Sequence, residues 1–194
     1  MKKKVTLALA VTLPLTLLPS LQASAEQQVA VKYGYHFWES GQTYVTSSVN
    51  DREAMDASLV SAEYTFWWDK FGLSITGDKN FKKNTEMFPG RYYKADLTAA
   101  DLLAQYRYHY SKSIDLRCGF GINYSYLKNE YRGRKESLDG VGGTVSIGGD
   151  YWLDQWGLCL DAKYIRNDLA SGMQNKTNYR VGGLKVSGGL KIRW

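Results

Sequence analysis

Ile114-Asp115-Leu116-Arg117-Cys118-Gly119-Phe120-Gly121-Ile122-Asn123-Tyr124-Ser125-Tyr126-Leu127 alternates without a break. Ile114, Leu116, Cys118, Phe120, Ile122, Tyr124 and Tyr126 share one face; Asp115, Arg117, Gly119, Gly121, Asn123 and Ser125 share the other. Successive side chains of a strand point to opposite sides, so period two predicts a strand with one apolar and one polar face.

Seven further stretches follow the same scheme: Gln28–Trp38, Asp56–Trp67, Lys70–Lys79, Leu97–Tyr110, Val141–Leu153, Trp156–Asn167 and Val181–Trp194. Three connections between them are short: Trp68-Asp69, Ser111-Lys112-Ser113 and Asp154-Gln155. The other four are long and polar: Glu39–Met55, Asn80–Asp96, Lys128–Gly140 and Asp168–Arg180. Short and long links that alternate around an even-stranded meander put all short turns at one end. That is the layout of outer-membrane barrels, with short periplasmic turns and long outer loops. The predicted fold is all-β: an eight-stranded antiparallel up-and-down transmembrane β-barrel.

The polar face carries Gly34, Gly72, Gly119, Gly121, Gly142, Gly148 and Gly189 among its charges, as a narrow bore needs if long ionic side chains are to fit. Five of the six Trp (Trp67, Trp68, Trp152, Trp156 and Trp194) lie at the short-turn end. Trp gathers at membrane interfaces because its ring is apolar and its N–H seeks a polar partner. The apolar stripe is therefore expected to face lipid and the ionic stripe the bore. A soluble barrel would reverse the two.

Composition agrees. Hydrophobic residues make up 44% of the 194, too few for a bundle of membrane helices, and 15 Tyr lead the aromatics. Two Cys cannot build a disulfide scaffold. Cys118 falls on the lipid stripe and Cys159 on the bore stripe, so no bridge between them is expected.

The N-terminus reads as an export signal. Lys2, Lys3 and Lys4 precede an apolar run, Val5 to Leu21, broken by Pro14 and Pro19; Ala23-Ser24-Ala25 then gives a small-x-small cleavage pattern. Residues 1–25 are expected to be removed and 26–194 to form the barrel. Three of the charges behind the formal net +6 leave with that segment, so the basicity is no nucleic-acid footprint.

Inward candidates are Lys32, Arg107, Arg117, Lys163, Lys185, Lys191 and Arg193 against Glu63, Asp78, Asp101, Asp115, Asp150 and Asp161. Near balance predicts a paired network, not a single-sign selectivity ring. Lys32, His36, Glu63, Asp101, Arg107, Arg117, Asp150, Asp161, Lys163 and Lys185 are the expected bore-lining residues. They would form either a polar plug or a narrow conduit. Trp38, Leu59, Leu97, Ala99 and Ile165 would form an apolar cup at the outer end.

Gly149-Asp150-Tyr151-Trp152-Leu153-Asp154-Gln155-Trp156-Gly157-Leu158-Cys159-Leu160-Asp161-Ala162-Lys163-Tyr164-Ile165 resembles the sixth strand, turn and seventh strand of the OmpW family. Cys118–Tyr124 is similar to that family's Gly-rich fifth strand, and Val186–Trp194 resembles its closing strand. OmpA-like and OmpX-like barrels share these patterns. The OmpW resemblance implies a minor porin that passes small, often hydrophobic, molecules.

Other motifs are set aside. His109-Tyr110-Ser111 has the His-x-Ser spacing of outer-membrane lipid A deacylases, but it abuts a short turn, opposite the end where those enzymes work. Gly140-Val141-Gly142-Gly143 and Gly148-Gly149 are followed by no helix and are no phosphate loops. No catalytic residue, metal ligand or cofactor is predicted.

The expected function is a porin-like channel for small solutes. The alternative is a non-enzymatic surface barrel that works through its outer loops in adhesion, lipopolysaccharide binding or membrane protection. A lipid A-modifying enzyme ranks third. Expected partners are outer-membrane lipid, lipopolysaccharide, small solutes and the outer-membrane assembly machinery. Lys82, Lys83, Arg132 and Arg134 are the expected contacts to lipopolysaccharide phosphates.

Overall fold

A computed structural model describes residues 25–38, 57–81, 83–88, 91–131, 134–171 and 178–194. Among these the elements are β1 (Ala25–Trp38), β2 (Ala57–Trp68), β3 (Phe71–Asn80), β4 (Lys83–Phe88), β5 (Arg91–His109), β6 (Ile114–Tyr131), β7 (Arg134–Leu153), β8 (Trp156–Ser171) and β9 (Asn178–Arg193). All pairings are antiparallel. The sheet runs β3-β2-β1-β9-β8-β7-β6-β5 and closes where β3 pairs with β5. β4 takes over from β3 on the same partner: Lys79 faces Thr98, and Lys83 faces Ala95. The wall is thus an eight-stranded closed barrel.

Its stagger follows from the register. A line from Gln28 passes through Thr65, Ser74, Leu103, Gly121, Thr144, Ile165 and Gly183 and returns to β1 at Trp38, ten residues further along. That stagger over eight strands tilts them by about 40° to the barrel axis. Closure satisfies the backbone polar groups of the wall, which an open sheet in lipid could not do.

Two hairpins share a sequence pattern. Trp67-Trp68-Asp69-Lys70-Phe71-Gly72 and Trp152-Leu153-Asp154-Gln155-Trp156-Gly157 both turn at an Asp with left-handed φ, 59° at Asp69 and 62° at Asp154. A positive φ at the first central position suits a two-residue hairpin, and Asp tolerates it better than most residues. The third short link is held by Tyr110 N–H donating to Ile114 O at 2.9 Å and Ser113 N–H donating to Ser111 Oγ at 3.2 Å.

The strands outrun their expected bounds at the long-loop end. β5 starts at Arg91, β6 runs to Tyr131 and β7 begins at Arg134, so the expected loops Asn80–Asp96 and Lys128–Gly140 are mostly strand. The expected loop Asp168–Arg180 also loses its ends to β8 and β9. The expected loop Glu39–Met55 and residues 1–24 of the expected export signal lie outside the described residues.

Burial is inverted relative to a soluble protein. Phe120 is 68% and Ile147 66% exposed, whereas Lys32 is 1% and Glu63 3% exposed. An apolar skin around an ionic filling is stable only where the skin meets hydrocarbon. One expectation about that skin is corrected. Trp68, Trp156 and Trp194 face outward at the short-turn end, but Trp67 (0% exposed) and Trp152 (3%) point into the bore. Each shares the strand parity of an inward carboxylate, Glu63 and Asp150 respectively, so neither belongs to the lipid interface.

Candidate functional site

Among the described residues the bore gathers the buried ionic groups, and its middle is an ion-pair network. Lys32 Nζ on β1 lies 2.7 Å from Glu63 Oε2 on β2 and 2.6 Å from Asp161 Oδ2 on β8. Arg117 on β6 sets Nε 2.7 Å from Asp150 Oδ2 and Nη2 2.8 Å from Asp161 Oδ1. Lys191 Nζ is 3.1 Å from Asp150 and 3.7 Å from Glu63. Lys163 Nζ is 3.2 Å from Asp101 and donates to Thr76 Oγ1 at 3.0 Å. Glu63 is the hub, with Arg117 at 3.8 Å and Lys163 at 4.0 Å as well.

Four cations (Lys32, Arg117, Lys163, Lys191) thus meet four anions (Glu63, Asp101, Asp150, Asp161). The layer carries no net charge and no ring of one sign. Glycine makes room for it: a Cβ on Gly148 would stand 2.2 Å from Asp161 Oδ1 and 3.2 Å from Arg117 Nη2.

The floor, at the short-turn end, is built twice over. The Trp67 ring lies over Gly72 and under Arg107, whose Cζ is 4.6 Å from the ring centre; the Trp152 ring lies over Gly157 and under Arg193, at 4.3 Å. A Cβ on Gly72 or Gly157 would come within 2.5 Å or 2.7 Å of the facing indole. Arg107 also pairs with Glu26 at 2.7 Å and donates to Asp69 O at 3.0 Å. Asp115 receives Trp152 Nε1–H at 2.8 Å and His109 Nδ1 at 2.6 Å. His109 therefore belongs to the floor.

Above the network, Lys185 pairs with Asp78 at 2.6 Å and His36 Nδ1 lies 3.1 Å from Asn80 Nδ2. Asn167 Nδ2–H donates to Ser125 Oγ at 2.8 Å and also bonds Asn123, which in turn bonds Asp101. Leu59, Leu97, Ala99, Leu127, Leu138 and Ile165 are buried around these groups. Four of the five residues expected to form an apolar cup are thus packed inside; the side chain of Trp38 lies outside the described ones.

All ten expected bore residues point inward and are buried: Lys32, His36, Glu63, Asp101, Arg107, Arg117, Asp150, Asp161, Lys163 and Lys185. The structure divides them. Lys32, Glu63, Asp101, Arg117, Asp150, Asp161 and Lys163 form the network, while Arg107 belongs to the floor and His36 and Lys185 to the outer layer. The floor tryptophans are absent from the expected bore set. Their signal was the W-x-D-x-aromatic-G pattern shared by two hairpins. Of the expected lipopolysaccharide contacts, Lys82 and Arg132 lie outside the described residues; Lys83 opens β4 opposite Ala95 and Arg134 opens β7 opposite Tyr131, with no described side chain. Cys118 faces outward and Cys159 inward, both as free thiols.

No protein-family model matches the chain, and no curated protein matches it. Solved structures do. Neisserial surface protein A aligns over 88% of this chain and 99% of its own, with TM-score 0.57 and 13% identity. A major outer-membrane protein of Thermus thermophilus aligns over 88% and 100%, with TM-score 0.58 and 10% identity. Ail, the attachment invasion locus protein of Yersinia pestis, aligns over 87% and 99%, with TM-score 0.55 and 10% identity in its complex with the heparin analogue sucrose octasulfate. At these identities the likeness is one of fold. Fold and surface together are those of a small eight-stranded outer-membrane β-barrel. The likeness does not single out the OmpW family.

Proposed function

We propose that this chain is a solute-tight outer-membrane barrel that works at its long-loop end and not through its bore. The observation that carries the reading is that ion pairs bridge walls that are not neighbours. Lys163 on β8 reaches Asp101 on β5, Lys185 on β9 reaches Asp78 on β3, and Arg117 on β6 reaches Asp161 on β8. A conduit requires the same groups to stand back against their own strands. Parting these pairs would leave buried charges uncompensated, which opposes spontaneous opening of the bore.

Residues 1–25 act in this reading as the export signal, and the outer strands and loops are the working surface. Ail is an attachment invasion locus protein solved with a heparin analogue, which makes attachment through polyanion contact one activity to test. Lys82, Lys83, Arg132 and Arg134 are proposed to bridge lipopolysaccharide phosphates there. Reversing all four charges should lower lipopolysaccharide retention while leaving barrel folding intact. Unchanged retention removes that contact set.

The second reading is a pore for small hydrophobic solutes of the OmpW kind. The buried layer of Leu59, Leu97, Leu127, Leu138 and Ile165 near the outer end supports it, because such a layer could receive an apolar solute. The two readings separate in a planar bilayer: the solute-tight barrel is electrically silent, and the pore conducts.

A further inference from the structure

The outward face of β8 between Trp156 and Asn167 is apolar except at one point, Arg166. Arg166 is exposed, and among the described residues it makes no hydrogen bond or ion pair. Its register partners are Gly143 on β7 and Gly182 on β9, so the positions on both sides of it lack a side chain. The two glycines differ in cause. A Cβ on Gly182 would meet the Ile165 carbonyl oxygen at 2.8 Å, whereas a Cβ on Gly143 would meet nothing within 4 Å. The neighbouring Gly142 is bare because its Cβ would stand 1.8 Å from Asn167 Oδ1. Gly143 is under no such pressure, and its bareness leaves an open slot at the outward position that faces Arg166 in the ladder.

The height of this slot is informative. Tyr164, Val145 and Leu184 share the rung below and belong to the exposed apolar belt. Further up β6 and β7 the outward face turns polar: Tyr124 O–H on β6 donates to Asp139 Oδ2 on β7 at 3.3 Å, and Lys128 Nζ lies 5.3 Å over the Tyr126 ring. Arg166 therefore sits where the hydrocarbon belt ends on the long-loop side. An arginine there is costly against lipid unless it reaches an anion or water at the interface.

We propose that Arg166, with the slot at Gly143, is a binding site on the lipid-facing wall for a phosphate of an outer-leaflet glycolipid headgroup. The planar guanidinium offers two parallel donors that match phosphate oxygens, and the bare backbone at Gly143 lets the headgroup lie against the wall. The occupant is a phosphorylated glycolipid because the slot lies on the wall itself, at headgroup level, directly above the acyl-chain belt. This site rests on the long-loop end being the outer end, which surface proteolysis of intact cells tests separately.

The test counts lipids retained by the folded, purified chain in native mass spectrometry after transfer from vesicles to detergent. The probes are bisphosphorylated lipid A, dephosphorylated lipid A and phosphatidylglycerol. The wild type should retain the bisphosphorylated form about tenfold more than the dephosphorylated one, as expected for charged hydrogen bonds to one headgroup. In a background with Lys82, Lys83, Arg132 and Arg134 already charge-reversed, which isolates the wall site from the loop contacts, Arg166→Ser and Gly143→Leu should each reduce retention to the dephosphorylated level, with the folded form still resisting unfolding in the gel. Undiminished retention in Arg166→Ser overturns the site. So does retention that ignores the phosphate, or phosphatidylglycerol bound as well as lipid A.

Discussion

Lys163 Nζ on β8 and Asp101 Oδ2 on β5 meet at 3.2 Å across the bore, although β7 and β6 stand between their strands in the wall. This contact cannot form unless the ionic stripes of both strands face inward and the bore is narrow enough for one lysine to span it. It ties the alternation of the sequence to the closed state of the molecule.

The first prediction concerns the hub. Lys32 satisfies both Glu63 and Asp161. Lys32→Met should lower stability by about 3–5 kcal/mol, since it strands buried carboxylates. Adding Glu63→Leu should recover part of that loss, because the second change removes one stranded charge. Guanidinium unfolding in micelles measures both. A single variant as stable as the wild type would show that the network contributes nothing.

A second prediction separates the two tryptophan classes. Trp68, Trp156 and Trp194 face outward and Trp67 and Trp152 face the bore. In variants that keep one tryptophan each, brominated lipids should quench the first three and spare the other two. Strong quenching of Trp152 would return it to the interface.

A third concerns glycine space on the two faces. Gly121→Ala should block folding, because its Cβ would stand 1.9 Å from the Leu102 carbonyl oxygen. Gly77→Ala, where a Cβ meets nothing within 4 Å, should fold as the wild type does. The heat-dependent gel shift reports both. Equal folding of the two variants would contradict the packing described for the inward face.

Much of this was legible in the sequence, for a physical reason. Period two is a local property, so Ile114–Leu127 declares its two faces without reference to any other strand. Parity then sends Lys32, Glu63, Asp101 and Arg117 inward. Pairing is not local: Lys32 and Asp161 are 129 residues apart, and the ten-residue stagger decides that they meet. Trp67 and Gly72 differ: they face each other across one two-residue hairpin, so their packing is open to a local reading. Parity with Glu63 places Trp67 inside, a step that counting Trp by height alone leaves out. Strand ends were harder to see, because alternation fades where β5, β6 and β7 leave the hydrocarbon while their ladders continue through Tyr93–Tyr131 and Tyr131–Arg134.

The most direct test of the closed bore is the current carried by the refolded chain in a planar bilayer. An electrically silent membrane is expected for the wild type, with folding shown by the gel shift. Stable, stepwise openings of the folded wild-type barrel would contradict it.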